Sequence, residues 1–328
     1  MPPLTTLAQI QDAAARVAGI AVRTPLIALP GSSARPAIFI KAESAQPIGS
    51  FKLRGAYNTI AQLTPEQLAK GVITYSSGNH AQGVAYAARS LGSKAVIVMP
   101  DNAPQVKIEA TRALGAEVVF VGPASSARRE KAEALAAEHG YTVIPPYDHP
   151  HIIAGQATCG LEIVQEMPDV DLVLSPVSGG GLLSGTATAV KLAAEAGMCH
   201  SKVQVWGAEP ELAGDAKESF DTRTLVEWPA ELTSRTLGDG LRTQSLGQLN
   251  FEHILHFVDG IVTVTEDEIL AAMRHLLSHT NLVPEPSGVV TLAAALYHPE
   301  QLPEAEKIVV ILSGGNVDPA LLASLRAV

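Results

Sequence analysis

Four short polar stretches carry the residue types from which chemistry can be built. Gly49-Ser50-Phe51-Lys52-Leu53-Arg54-Gly55 sets one lysine between two apolar side chains. If Lys52 opens a helix and loses water, its ammonium is disfavoured, and the freed amine can form a Schiff base with a carbonyl. A solvated surface lysine is the plainer alternative. Ser178-Gly179-Gly180-Gly181 follows an apolar run and precedes a helical one. Successive glycines let backbone N–H groups turn to one point, and the following helix adds its positive end, a combination that binds phosphate; an ordinary turn is the competing reading. Ser76-Ser77-Gly78-Asn79-His80-Ala81-Gln82-Gly83 offers hydroxyls, an amide and an imidazole at another helix start, where a simple N-cap would also fit. Ser313-Gly314-Gly315-Asn316 follows the last strong strand signal and permits close approach of a flat ligand, or merely turns the chain.

The elements that must position these residues follow from the apolar pattern. Near-continuous apolar runs at 37–40, 72–74, 95–98, 117–120, 171–174, 203–206, 261–264 and 308–311 read as strands buried on both faces, as in parallel sheets. Helices are expected between them: 104–114, opened by Pro104 and stopped by Gly115; 182–196, ended by Gly197; and one from a Thr265/Glu268 capping box to about His279. Alternating strands and helices predict a doubly wound α/β chain. In such sheets ligands bind at the carboxyl ends of strands, and all four stretches follow a strand or open a helix. They therefore converge on one phosphate-bearing ligand. Residues 72 to 143 hold four strand signals and three helices, and read as a small unit inserted into a larger one.

Composition chiefly excludes. The chain has 328 residues, 23 basic against 33 acidic, and a formal charge of -10. No nucleic-acid partner is expected, because that needs a basic surface. Mean hydropathy is +0.19, yet no apolar stretch is long enough to span a bilayer, so no membrane partner is expected either. The N-terminus lacks a signal-peptide pattern. Cys159 and Cys199 form no metal or redox spacing and read as buried free thiols in a reducing cytoplasm. A nicotinamide-dependent oxidoreductase would need Gly-x-Gly-x-x-Gly, which is absent from the glycine run, and leaves Lys52 unexplained.

On the motifs Ser50-Phe51-Lys52-Leu53-Arg54-Gly55-Ala56, Ser77-Gly78-Asn79-His80-Ala81-Gln82-Gly83 and Ile153-Ala154-Gly155-Gln156, the chain resembles the fold-type II pyridoxal phosphate enzymes, in the serine/threonine dehydratase and serine racemase group. The resemblance spans nearly the whole chain. It implies a tryptophan synthase β-like fold of two doubly wound α/β domains: a large cofactor-binding domain of residues 1–66 and 148–328, and a small mobile domain of residues 72–147. It implies pyridoxal 5'-phosphate as cofactor and a small amino acid as substrate. The expected reaction is conversion of L-threonine or L-serine to a 2-oxo acid and ammonia. Serine racemization, or dehydration of another β-hydroxy amino acid such as 3-hydroxyaspartate, is the alternative. A cytoplasmic homodimer is expected.

The resemblance also implies roles. Lys52 carries the cofactor and removes the α-proton. Phe51 packs beside the pyridine ring, Asn79 bonds its hydroxyl, and Ser178, Gly179, Gly180, Gly181 and Leu182 hold its phosphate. Ser313 meets the pyridine nitrogen; a neutral hydroxyl there makes the ring a weaker electron sink than a carboxylate would, which favours elimination. Ser76, Ser77, Asn79 and His80 cradle the substrate carboxylate, with Asp239 lining the pocket. Ser77 is the second acid/base of the racemase branch, and Arg129-Glu130 matches a pair of that branch or is a solvated helix face. Glu209, Ala213 and Asp215 match a cation site suited to Mg²⁺ or Ca²⁺. Ser178, Ile48 and Ala157 depart from the family's usual glycine, threonine and glycine, which leaves the substrate open. With Val328 following soon after the Ser313 motif, no regulatory domain and no feedback by isoleucine are expected.

Overall fold

A computed structural model describes residues 3–30, 36–76, 78–103, 105–122 and 125–326. Ten strands make two sheets among them: β1 (Leu26–Ala28), β2 (Ala37–Ala42), β3 (Val72–Tyr75), β4 (Ala95–Pro100), β5 (Glu117–Val121), β6 (Thr142–Val143), β7 (Leu172–Pro176), β8 (Gln204–Pro210), β9 (Gly260–Val264) and β10 (Lys307–Leu312). Six strands run in the order β1-β2-β10-β7-β8-β9, and four in the order β5-β4-β3-β6. Every pairing is parallel except β1 with β2.

In the inner strands alternate side chains enter different cores, which is why their apolar runs are nearly unbroken. Val309 and Ile311 join one core, and Ile308, Val310 and Leu312 the opposite one. In the smaller sheet Ile97 and Met99 face one side, Val96 and Val98 the other. The eight strands expected from the pattern all form; β1, a three-residue edge strand, carried no such pattern. The predicted helices form as Gln105–Ala113, Gly181–Glu195 and Glu266–His279, the last with its Thr265/Glu268 capping box in place. Pro104 lies outside the described residues.

The helix Lys52–Ile60 is fixed by two devices. Gly55 meets Gly155 of the helix Pro150–Glu166, so closely that a Cβ on Gly155 would stand 2.6 Å from the Cα of Gly55. Gln156 then accepts the Gly55 N–H at 3.2 Å. The Ile153-Ala154-Gly155-Gln156 motif is thus a helix-packing seat. The second device is Arg54, wholly buried, whose guanidinium bonds both oxygens of Glu43 (2.7 and 2.8 Å) and both of Glu162 (2.8 Å each). Buried Lys41 adds a second cation on Glu162 at 2.7 Å. Burial alone would raise the Glu43 carboxyl, but the charge and hydrogen bonds of Arg54, with Lys41, outweigh it and hold the group below its ordinary value. Two cations and two anions balance, so the cluster is tolerable inside the protein only when complete.

Removing one partner strands the others. Arg54→Ala should cost about 3–5 kcal/mol in urea unfolding, the range for breaking a buried ion pair. A loss below about 1 kcal/mol, the range of an exposed pair, would show that the network anchors nothing.

Candidate functional site

The four polar stretches meet. Phe51 N–H donates to the Ser313 carbonyl at 3.0 Å, and Gly315 N–H to the Gly49 carbonyl at 2.9 Å. Ser50 and Gly314 form an isolated antiparallel bridge. The turn before Lys52 is therefore stitched to the turn after β10. Asn79, first residue of the helix Asn79–Ser90, reaches the same knot: its Oδ1 accepts Asn316 Nδ2–H at 2.7 Å, and Asn316 also donates to the Ile48 carbonyl at 2.9 Å.

Lys52 is the first residue of its helix and is partly buried. Its Nζ donates to the Pro146 carbonyl at 2.9 Å and lies 5.2 Å from the centroid of the Phe51 ring. Burial lowers its ammonium to about 8. No anion pairs with it among the described contacts, so a neutral amine is within easy reach near neutral pH.

The glycine run lies beside the next residue, Tyr147. A Cβ on Gly179 would stand 2.5 Å from the Tyr147 ring, and Gly180 has φ +95°, which L side chains resist. The Gly179 carbonyl is turned away, accepting from Asn250 Nδ2–H at 2.8 Å and Gly247 N–H at 3.0 Å. Gly181 and Leu182 open a fifteen-residue helix, whose first-turn N–H groups lack intrahelical acceptors. Ser178 Oγ lies 2.8 Å from Thr243 Oγ1. Ser313 is buried, and Ser50 Oγ is buried with no hydrogen-bond partner among the described residues. A lysine amine, a backbone anion cradle and a buried serine suit a flat, phosphate-bearing carbonyl compound.

The remaining expected site residues are placed differently. Ser77 lies outside the described residues. Ser76 accepts the Gly78 N–H at 3.3 Å. Buried His80 places Nε2 3.1 Å from the Ile144 carbonyl, and burial, with the nearby Lys52, lowers it to about 3, so the ring is neutral and its one N–H is spent there. What His80 offers a ligand is its backbone N–H. Asp239 is exposed and ion-paired to Lys107 of the helix Gln105–Ala113. Arg129 is exposed and pairs with Glu133 one turn on. Cys159 is buried, whereas Cys199 is only partly so, and neither forms a disulfide.

Glu209 and Asp215 are both 1% exposed, on either side of the turn that holds Ala213. Burial, then the charge of Asp215, raises Glu209 well above its ordinary value. Burial, with Glu218 adding, raises Asp215 to about 7, and its Oδ2 has no hydrogen-bond partner among the described residues. Two buried acids with an unused oxygen suit a hard cation, although no group of three or more His, Cys, Asp or Glu among the described residues is arranged to hold one.

Tyr147, Thr243, Asn250 and Glu285 adjoin the site without a sequence signal that marks them.

Residues 17–314 match the family described as pyridoxal-phosphate dependent enzyme. The chain is 38% identical over 322 residues to an L-threo-3-hydroxyaspartate ammonia-lyase from Saccharomyces cerevisiae, covering 98% of this chain and 96% of the relative. It is 37% identical to a serine racemase from Schizosaccharomyces pombe, covering 96% and 95%. A solved threonine deaminase from T.th. superposes with a TM-score of 0.88 and 43% identity, covering 95% and 99%.

The carboxylate pair generates a pH dependence. An acid raised on folding is protonated in the native state while its unfolded form is already ionised, so stability falls as pH rises. Without divalent cation, the melting temperature should fall between about pH 4 and 7 as the unfolded Asp215 ionises and then the folded one. Mg²⁺ or Ca²⁺ should remove most of that fall in the wild type; Asp215→Asn should lose most of the fall itself and gain no stability from either cation. A melting curve indifferent to both cations would contradict a cation site.

Proposed function

The chain belongs to the pyridoxal-phosphate dependent enzyme family, and from that premise we propose that it is an ammonia-lyase acting on L-threonine or L-serine, with a 2-oxo acid and ammonia as products. One observation carries the reading: a partly buried lysine amine with no counter-ion among the described residues stands beside three anion-receptive or polar turns. When bound, pyridoxal phosphate supplies the electron sink that lets an amino acid lose its α-proton, which no side chain here can do.

The residues of this chain do the rest. Lys52 would hold the cofactor by its Nζ, and the same amine, when free, would take the substrate's α-proton as a neutral base, for which its lowered value suits it. Backbone N–H groups of 179–182 would hold the phosphate, with Ser178 beside them, and Phe51 would cover the ring. Ser313 would offer a neutral hydroxyl to the ring nitrogen, and Asn79 would donate to the ring oxygen. Ser76, Ser77 and the backbone of Asn79 and His80 receive the substrate carboxylate, with Ser77 as a second acid/base. With the cofactor bound, loss of the α-proton and of the β-hydroxyl as water, followed by uptake of one water, would convert the amino acid to the 2-oxo acid and ammonia.

We further propose that residues 72–147 close against residues 1–66 and 148–328. The Lys107–Asp239 ion pair joins the two across the mouth, so Asp239 acts at the entrance. Glu209, the Ala213 carbonyl and Asp215 hold a structural cation. A homodimer in the cytoplasm is supported by the resemblance and by two thiols that form no disulfide. No described helix is long and apolar enough to cross a membrane. L-threo-3-hydroxyaspartate is the second reading. The yeast relative supports it, and Lys107 puts an ammonium at the mouth where a second carboxylate would enter.

Purified protein should show the visible absorbance of a lysine-bound cofactor and release 2-oxo acid from L-threonine, L-serine or L-threo-3-hydroxyaspartate. A colourless protein that stays colourless with added pyridoxal phosphate, or one that forms only D-serine, would end the lyase reading. Lys52→Ala should abolish the band and lower 2-oxo acid release by about 10²–10⁴-fold, the usual worth of a positioned acid or base. In cofactor-stripped wild type, uptake of pyridoxal phosphate should accelerate with pH and level off above about 8, where Lys52 is neutral. An onset only near 10 would contradict a desolvated amine.

A further inference from the structure

Glu285 is a buried acid, 3% exposed, that the reaction as derived does not use. Its place is fixed by its own backbone, whose N–H donates to the Gly314 carbonyl at 3.1 Å. It lies so close under that turn that a methyl on Gly314 would overlap Oε1. Oε1 accepts Asn79 Nδ2–H at 2.6 Å. On its other side, Asn79 Oδ1 accepts from Asn316, whose second amide hydrogen goes to the Ile48 carbonyl.

These contacts leave the Asn79 amide one orientation. An ionised carboxylate only accepts, and the facing Asn316 nitrogen only donates. Flipping Asn79 would set oxygen against carboxylate and N–H against N–H. Asn79 Nδ2 carries two hydrogens, and Glu285 takes one. The other is left for an acceptor on a ligand.

We propose that Glu285 is a positioning residue of the cofactor site, holding the Asn79 amide so that one N–H faces the ring oxygen of the bound cofactor. This rests on the reading of Asn79 as the residue beside the cofactor ring. An apolar or hydroxyl side chain would have been cheaper to bury at this place, and a carboxylate is the acceptor that cannot be mistaken for a donor.

The lock depends on protonation. Burial raises Glu285 to about 7, with the charge of Asp239 adding, while the Asn79 bond, Lys107 and the Asn316 backbone N–H oppose the rise. Above that value the carboxylate holds Asn79 in one orientation. Below it the carboxyl gains a hydrogen it can donate to the asparagine oxygen, and the orientation loosens.

The test uses holoenzyme with pyridoxal phosphate and follows the visible spectrum from about pH 5.5 to 9. The wild-type band should shift with a midpoint near 7. Glu285→Gln keeps shape and an acceptor but cannot ionise, so it should keep the band and lose the shift. Asn79→Ala should lose the shift too, and Asn79→Ala with Glu285→Gln should match Asn79→Ala alone. Glu285→Ala should release cofactor on dilution roughly tenfold faster than wild type, the loss of about one charge-assisted hydrogen bond. A wild-type band that does not move, a Glu285→Gln variant that keeps the midpoint, or additive effects in the double variant would overturn the proposal. A wild type with no lysine-dependent band would overturn the cofactor reading as well; a normal Lys52-dependent band with an unchanged Glu285→Gln spectrum overturns this inference alone.

Discussion

Arg54 cannot shed its proton, and the fold gives it no water. Glu43 and Glu162 must stay ionised around it, and Lys41 must neutralise the second of them. That demand ties together β2, the short turn after it, the helix Lys52–Ile60 and the helix Pro150–Glu166. Lys52 stands two residues away, on the first turn of the same helix. A helix end carrying a desolvated amine would fray if its own N–H groups alone held it. Arg54 and the Gly55–Gly155 contact hold the helix from behind, so Lys52 can be left without a counter-ion. A carboxylate beside Lys52 would instead stabilise the ammonium and lower the supply of free amine.

The same economy governs the anion. The protein carries a net charge of -10, yet its phosphate cradle asks for no basic patch. Glycines at 179–181 turn their carbonyls to Asn250 and other backbone, which leaves N–H groups and the helix end facing inward. Local dipoles at contact distance count for more here than screened surface charge some ten ångströms away.

Much of this was legible in the residues. Strands of the parallel sheets are buried on both faces, so their apolar runs are unmistakable, whereas the edge strand β1 needs no such pattern and was missed. Lys52, the glycine run, Asn79 and Ser313 announced themselves as polar groups next to glycine at strand ends. Their knot did not, because Phe51-to-Ser313 and Gly315-to-Gly49 are backbone bonds that any side chains would allow. Glu285 and Tyr147 were invisible for a different reason: an acid and an aromatic acquire meaning only from what lies across the cleft. Asp239 was expected to line the pocket; its ion pair with Lys107, far away in sequence, could not be read from either residue alone.

The central claim is that one particular amine is made available by burial and held in place from behind. Reducing the covalent link in the holoenzyme with borohydride and sequencing the peptides by mass spectrometry tests it most directly. The account predicts the cofactor's mass on the peptide bearing Lys52 and on no other lysine. Cofactor mass on Lys41 or any surface lysine, or on none, would contradict it.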